Sequence, residues 1–123
     1  MEELFTVYGS VSGTGDYTLD SDLFASTVSY IRIPKGTKLK VWCKRISGSA
    51  AEVQLQYTSD VTVGSPVYKT LDIQKMATDG ELSLEKRRPI VMRGITGREA
   101  FKVTRSAGSG PSYISLEVEI SDE

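Results

Sequence analysis

One cysteine, Cys43, and a complete lack of histidine bound the chemistry open to this 123-residue chain. A Ser-His-Asp triad has no base to work with. A tetrahedral zinc site needs four nitrogen or sulfur ligands, and one chain cannot supply them here. A thiolate nucleophile ordinarily has a histidine partner. Cys43 alternates in phase with Leu39 and Val41 and reads as a small buried hydrophobe. Asp16, Asp20 and Asp22, with Asp60 or Asp79, offer oxygens of the kind calcium takes. Their spacing is not that of an EF-hand, and they stand where turns and strand ends call for Asp. Gly9 to Gly15 is glycine-rich, but no Gly-Lys-Ser/Thr follows and no helix is predicted after it, so a phosphate-cradling loop is not expected. Paired carboxylates for glycoside hydrolysis are compatible with the composition. A short sandwich rarely offers the deep cleft they need. The expectation is a protein that is not an enzyme and uses no metal or cofactor.

The charges are unevenly spread although the net charge is only −1. Residues 1–31 carry Glu2, Glu3, Asp16, Asp20 and Asp22 and no Lys or Arg; the end is acidic again through Glu117, Glu119, Asp122 and Glu123. Between them, residues 85–105 hold Arg87, Arg88, Arg93, Arg98 and Arg105 together with Lys86 and Lys102. Such a segment can touch phosphates. Stacking on single strands needs interleaved aromatics, and only Phe101 is present, in phase with Val103 and so assigned to the core. Weak, salt-sensitive, non-specific nucleic-acid binding is one alternative reading; sequence-specific binding is not expected. Charge complementarity between subunits is another reading of the same asymmetry.

The elements that must position these residues read as strands. Ser112 to Ile120 puts Ile114, Leu116, Val118 and Ile120 on one face and Tyr113, Ser115, Glu117 and Glu119 on the other. A period of two fits a strand with one face in a core and one in water. Similar alternation runs through Leu4–Ser12, Ser26–Ile33, Thr37–Ile46, Ala51–Ser59, Val67–Ile73 and Glu99–Arg105, with Pro34-Lys35-Gly36, Ser47-Gly48-Ser49 and Ser106 to Pro111 as turns. Eight or nine short strands in one domain spanning residues 1–123 argue an all-β sandwich or barrel. The expected core holds Phe5, Val7, Ile31, Ile33, Leu39, Val41, Val53, Leu55, Leu71, Phe101, Val103, Ile114, Leu116 and Val118.

Thr37–Ile46 presents a conflict. With Leu39, Val41 and Cys43 inward, Lys38, Lys40, Trp42, Lys44 and Ile46 share the outward phase. A tryptophan left among lysines on an outer face is the kind of residue that anchors interfaces, although the lysine stems can cover part of the ring. Trp42, flanked by Lys38, Lys40 and Lys44, is therefore the expected subunit contact of a homo-oligomer, with a trimer favoured. Exposed Trp42 or Tyr113 stacking on a sugar face is the competing use.

The run Val53-Gln54-Leu55-Gln56-Tyr57-Thr58-Ser59-Asp60, followed by Tyr68-Lys69-Thr70-Leu71, resembles a pattern of small jelly-roll and galactose-binding-like sandwiches. Arg98-Glu99-Ala100-Phe101-Lys102-Val103 and the closing strand are similar to their paired strands, so that the likeness spans residues 37–120. The resemblance implies an antiparallel jelly-roll of the sort found in accessory components of virus and phage particles (capsid, decoration, turret or fibre) and in carbohydrate-binding modules; it carries over no ligand-binding residue. It implies a structural, assembly role in a virion, with other particle proteins as further partners. Met1 to Phe5 is acidic and lacks the apolar run of a secretory signal. No stretch approaches the roughly 20 apolar residues that span a bilayer. Outside a virion the chain is expected to be soluble and cytoplasmic.

Overall fold

A computed structural model describes residues 2–20, 28–76, 80–83 and 89–122, and the side chains of residues 3–20, 28–71 and 89–122. Among these residues the chain is all strand and turn. β1 (Glu2–Val11), β2 (Gly15–Asp16), β3 (Thr18–Asp20), β4 (Ile31–Arg32), β5 (Thr37–Gly48) and β6 (Ala51–Thr58) form the first half. β7 (Lys69–Met76), β8 (Gly80–Ser83), β9 (Ile90–Arg93), β10 (Ala100–Ala107) and β11 (Ser112–Asp122) form the second. They make two antiparallel sheets packed face to face as a β-sandwich. The larger sheet runs β3-β1-β11-β5-β8, with β9 pairing the other half of β5; the smaller runs β2-β10-β6-β7, with β4 pairing β10.

Alternation places the core. Along β11, Ile114, Leu116 and Val118 are buried while Tyr113 is exposed. The strand lies between β1 and β5, facing Val7 through Leu116 and Phe5 through Val118. Gly9 faces Ile114 in the same register, where a Cβ would come within 2.7 Å of the isoleucine Cγ1; the absence of a side chain lets the two strands share that layer. From the smaller sheet Ile31, Val53, Leu55, Phe101 and Val103 close the core. Burying each such side chain contributes about 1.5–3 kcal/mol.

The structure departs from the expected pattern at identifiable places. Ile46, expected outward with Trp42, is fully buried. The register of β11 on β5 shifts between Ser115 and Leu116, so that Arg45 and Cys43 face consecutive residues and Lys44 is the extra one. A bulge adds one residue to one strand and inverts the phase beyond it. Phe5 and Leu71 are partly rather than fully buried, whereas Tyr17, Leu19 and Met92 join the core. The strand expected from Val67 starts at Lys69, and Val67 is exposed.

Candidate functional site

Of the five arginines of the expected basic patch, the three among the described residues, Arg93, Arg98 and Arg105, stand in different settings. Arg87 and Arg88 lie outside the described residues. Arg93 is exposed on β9 opposite Lys38 of the larger sheet. Arg98 precedes β10, with its Nε 3.6 Å from Asp60. Arg105 is a correction: it is 1% exposed and belongs to the interior. It shares the inward phase of Phe101 and Val103 on β10. Its guanidinium donates to four backbone carbonyls: from Nη1 to Gly110 at 2.5 Å and Gly13 at 3.3 Å, and from Nη2 to Ala50 at 2.6 Å and Ser109 at 3.1 Å. Nε–H has no partner among the described residues, and no carboxylate there pairs with the charge. The planar fork suits this task, since it reaches several loops at once. Gly108 packs against it: a Cβ there would meet Ala50 O and sit 2.7 Å from Nη2. Beside it the Tyr17 hydroxyl and Ser112 Oγ share a buried hydrogen bond of 2.7 Å. Burial pushes the Tyr17 phenol up, against the opposing effects of Ser112 and the Arg105 charge.

Glu99, immediately before β10, is the counterpart of opposite sign. Its buried carboxylate accepts from the backbone N–H groups of Ile95, Thr96 and Gly97 at 3.0–3.2 Å and from Thr96 Oγ1 at 3.1 Å. Burial alone would favour the neutral acid; these donors outweigh it and hold the carboxyl down at about 2. Arg32 donates to Gly97 O at 2.7 Å, tying β4 to the same turn. Arg105 and Glu99 therefore organise loops at the two ends of one strand. They are structural groups, buried and occupied.

Among the described residues, several polar groups on the outer face of the smaller sheet bond to one another. Gln56 Nε2 donates to Gln54 Oε1 at 3.1 Å, and Thr70 Oγ1 donates to the same oxygen at 3.2 Å. Lys102 Nζ lies 3.2 Å from Asp16 and 4.1 Å from the centroid of the Tyr68 ring. Asp60 caps its own turn through Thr62, whose bonds hold its carboxyl below the ordinary value.

The outer face of the larger sheet is different. On β1, Leu4 and Tyr8 are 61% and 60% exposed; on β11, Tyr113 is 50%; on β9, Val91 is 44%. Trp42 stands half-buried on β5 on the same sheet, opposite Glu117. Lys38 and Lys40 flank it along the strand, and Lys44 projects from the bulge to Glu117 at 3.0 Å. Lys40 lies 3.9 Å from Glu119. The expected grouping of Trp42 with Lys38, Lys40 and Lys44 is thus present. Leu4, Tyr8 and Val91 were not among the expected site residues, although Leu4 and Tyr8 stand opposite in phase to Phe5 and Val7. Apolar side chains bare on one sheet face, with charges between them, are what a protein–protein contact presents.

No family model matches this chain, and no curated protein matches it. No helix among the described residues is long and apolar enough to cross a membrane.

Proposed function

We propose that this chain is a non-enzymatic structural protein that works by self-association through the outer face of its larger sheet, as a component of a virus particle such as a capsid, decoration, turret or fibre protein. The observation that carries the self-association is the contrast at that face: Leu4, Tyr8, Val91 and Tyr113 stand in solvent on the same sheet as Trp42, whereas polar groups on the opposite face bond to one another. The particle assignment rests on the jelly-roll reading. The strand order β1-β11-β5-β8 against β2-β10-β6-β7 supports it, because the first and last long strands are neighbours and the chain changes sheet at every connection except β6–β7 and β8–β9. Molar mass by light scattering across a concentration series tests self-association. A mass above the 13.5 kDa of one chain that falls on dilution is expected; a constant single-chain mass up to high micromolar concentration overturns it.

A second reading, a carbohydrate-binding module, draws on the same exposed rings: Tyr8 and Tyr113 lie on adjacent strands and could stack on sugar faces. Hits on a glycan array by a monomeric protein favour this reading over assembly.

A further inference from the structure

The outer face of the larger sheet reads, strand by strand, as its own complement. Cross-strand register puts Leu4 beside Glu119, Glu119 beside Lys40 and Lys40 beside Val91. That row runs apolar, acidic, basic, apolar. Reversed, it matches itself: apolar meets apolar, and acid meets base. The division extends along the strands. β11 contributes Glu117 and Glu119 on one side of the midline, and β5 contributes Lys38 and Lys40 on the other.

Resting on the self-association reading above, we infer that the occupant of this face is a second copy of the chain, related by a two-fold axis that lies parallel to the strands over the midline between β11 and β5. A half-turn about that axis turns one face onto the other and exchanges the two sides. Leu4 of one copy then lies over Val91 of the other, and Glu119 over Lys40, twice each. Trp42, on β5 beside the axis, comes next to the Trp42 of the second copy at the centre. Sheets stacked face to face sit about 10 Å apart with their strands roughly aligned, which this axis allows. The apolar flanks and the indoles supply affinity; the charges set register. Within one chain, Lys40–Glu119 at 3.9 Å and Lys44–Glu117 at 3.0 Å are surface pairs of little worth alone. Across the axis each carboxylate gains a second ammonium neighbour. The contact is isologous, so it closes at two copies, in place of the trimer expected from sequence.

Charge reversal in two separate chains tests the geometry. Lys38→Glu with Lys40→Glu makes one variant, and Glu117→Lys with Glu119→Lys makes the other. Alone, each should self-associate about a hundredfold more weakly than wild type, because like charges face each other across the axis. Mixed in equal amounts they should form a one-to-one pair with the mass of a dimer. A mixture that stays monomeric while wild type doubles its mass overturns the two-fold but leaves self-association standing. Wild type that forms a trimer or an open polymer does the same. Wild type that stays a monomer at high micromolar concentration removes the underlying reading as well. Should either reversed chain not fold, thiol cross-linking replaces it: Leu4→Cys and Val91→Cys, each in a Cys43→Ser background, are mixed and treated with a short bis-maleimide, whose reach spans the gap of about 10 Å between stacked sheets that a direct disulfide would not. A bridged heterodimer is expected, and none from chains that still dimerise overturns the proposal.

Discussion

On the smaller sheet Gln54, Gln56 and Thr70 bond to one another, Lys102 is held by Asp16 and Tyr68, and the charges of Arg105 and Glu99 are wrapped by backbone. On the larger sheet Leu4, Tyr8, Val91 and Tyr113 are left in water, together with a half-buried tryptophan. Both sheets share one core and one strand grammar, so the difference lies in their outer surfaces. Groups already satisfied by their own chain gain little from a partner. Bare apolar groups gain the transfer of their area out of water, roughly 25 cal/mol per Å² before the costs of association. The contrast predicts a double dissociation: changes in the smaller sheet alter stability and not assembly, and changes on the larger sheet's face alter assembly and not stability.

The largest effect should come from Arg105→Ala. It removes the donor to four backbone carbonyls and leaves a cavity, for a cost of about 3–5 kcal/mol in unfolding free energy from urea titration. The folded fraction should associate as wild type does; a loss below about 1 kcal/mol would contradict the role given to the guanidinium. Trp42→Ala comes next, weakening self-association by about 2 kcal/mol or more while the urea midpoint moves little. An unfolded variant would instead place Trp42 in the core. Glu99→Gln should cost about 2 kcal/mol at neutral pH and flatten the acid limb of stability. The sign follows from the lowered carboxyl. The unfolded state takes up its proton near 4.5 and the folded state only near 2, so Glu99 contributes fully above 4.5 and the contribution is lost as pH falls toward 2. Unfolding midpoints measured across that window should slope less steeply for the variant than for wild type, the remainder coming from groups such as Asp60 whose carboxyl is also held down. The smallest effect belongs to Lys102→Ala, within about 1 kcal/mol of wild type because its ion pair and ring contact lie at the surface, with association unchanged.

Much of this was legible in the residues. The alternation from Ser112 to Ile120 assigned every side chain of β11 to the correct face from Ile114 to Val118. The same rule, applied through to the end of β10, puts Arg105 in phase with Phe101 and Val103. Its charge groups it instead with its basic neighbours in sequence, and the carbonyls that receive it come from loops on other parts of the chain, at Gly13 and Ala50, or from beyond the strand's end, at Ser109 and Gly110. Ile46 was beyond reach of a strict period of two, since nothing in Trp42-Cys43-Lys44-Arg45 announces that one residue will bulge. Leu4 and Tyr8 were readable as the outward phase of β1. Their sharing a face with Tyr113, Trp42 and Val91 depends on β11 lying between β1 and β5 and on β9 pairing β5, which is long-range register.

Trp42 is the only tryptophan of the chain and stands at the centre of the proposed contact, so its fluorescence reports directly on that face. Emission recorded from dilute to high micromolar protein should shift to shorter wavelength along the same concentration curve as the mass measured by light scattering, as water leaves the indole. A mass that rises while the emission stays fixed would place the contact elsewhere, and an emission and mass that both stay fixed would contradict self-association itself.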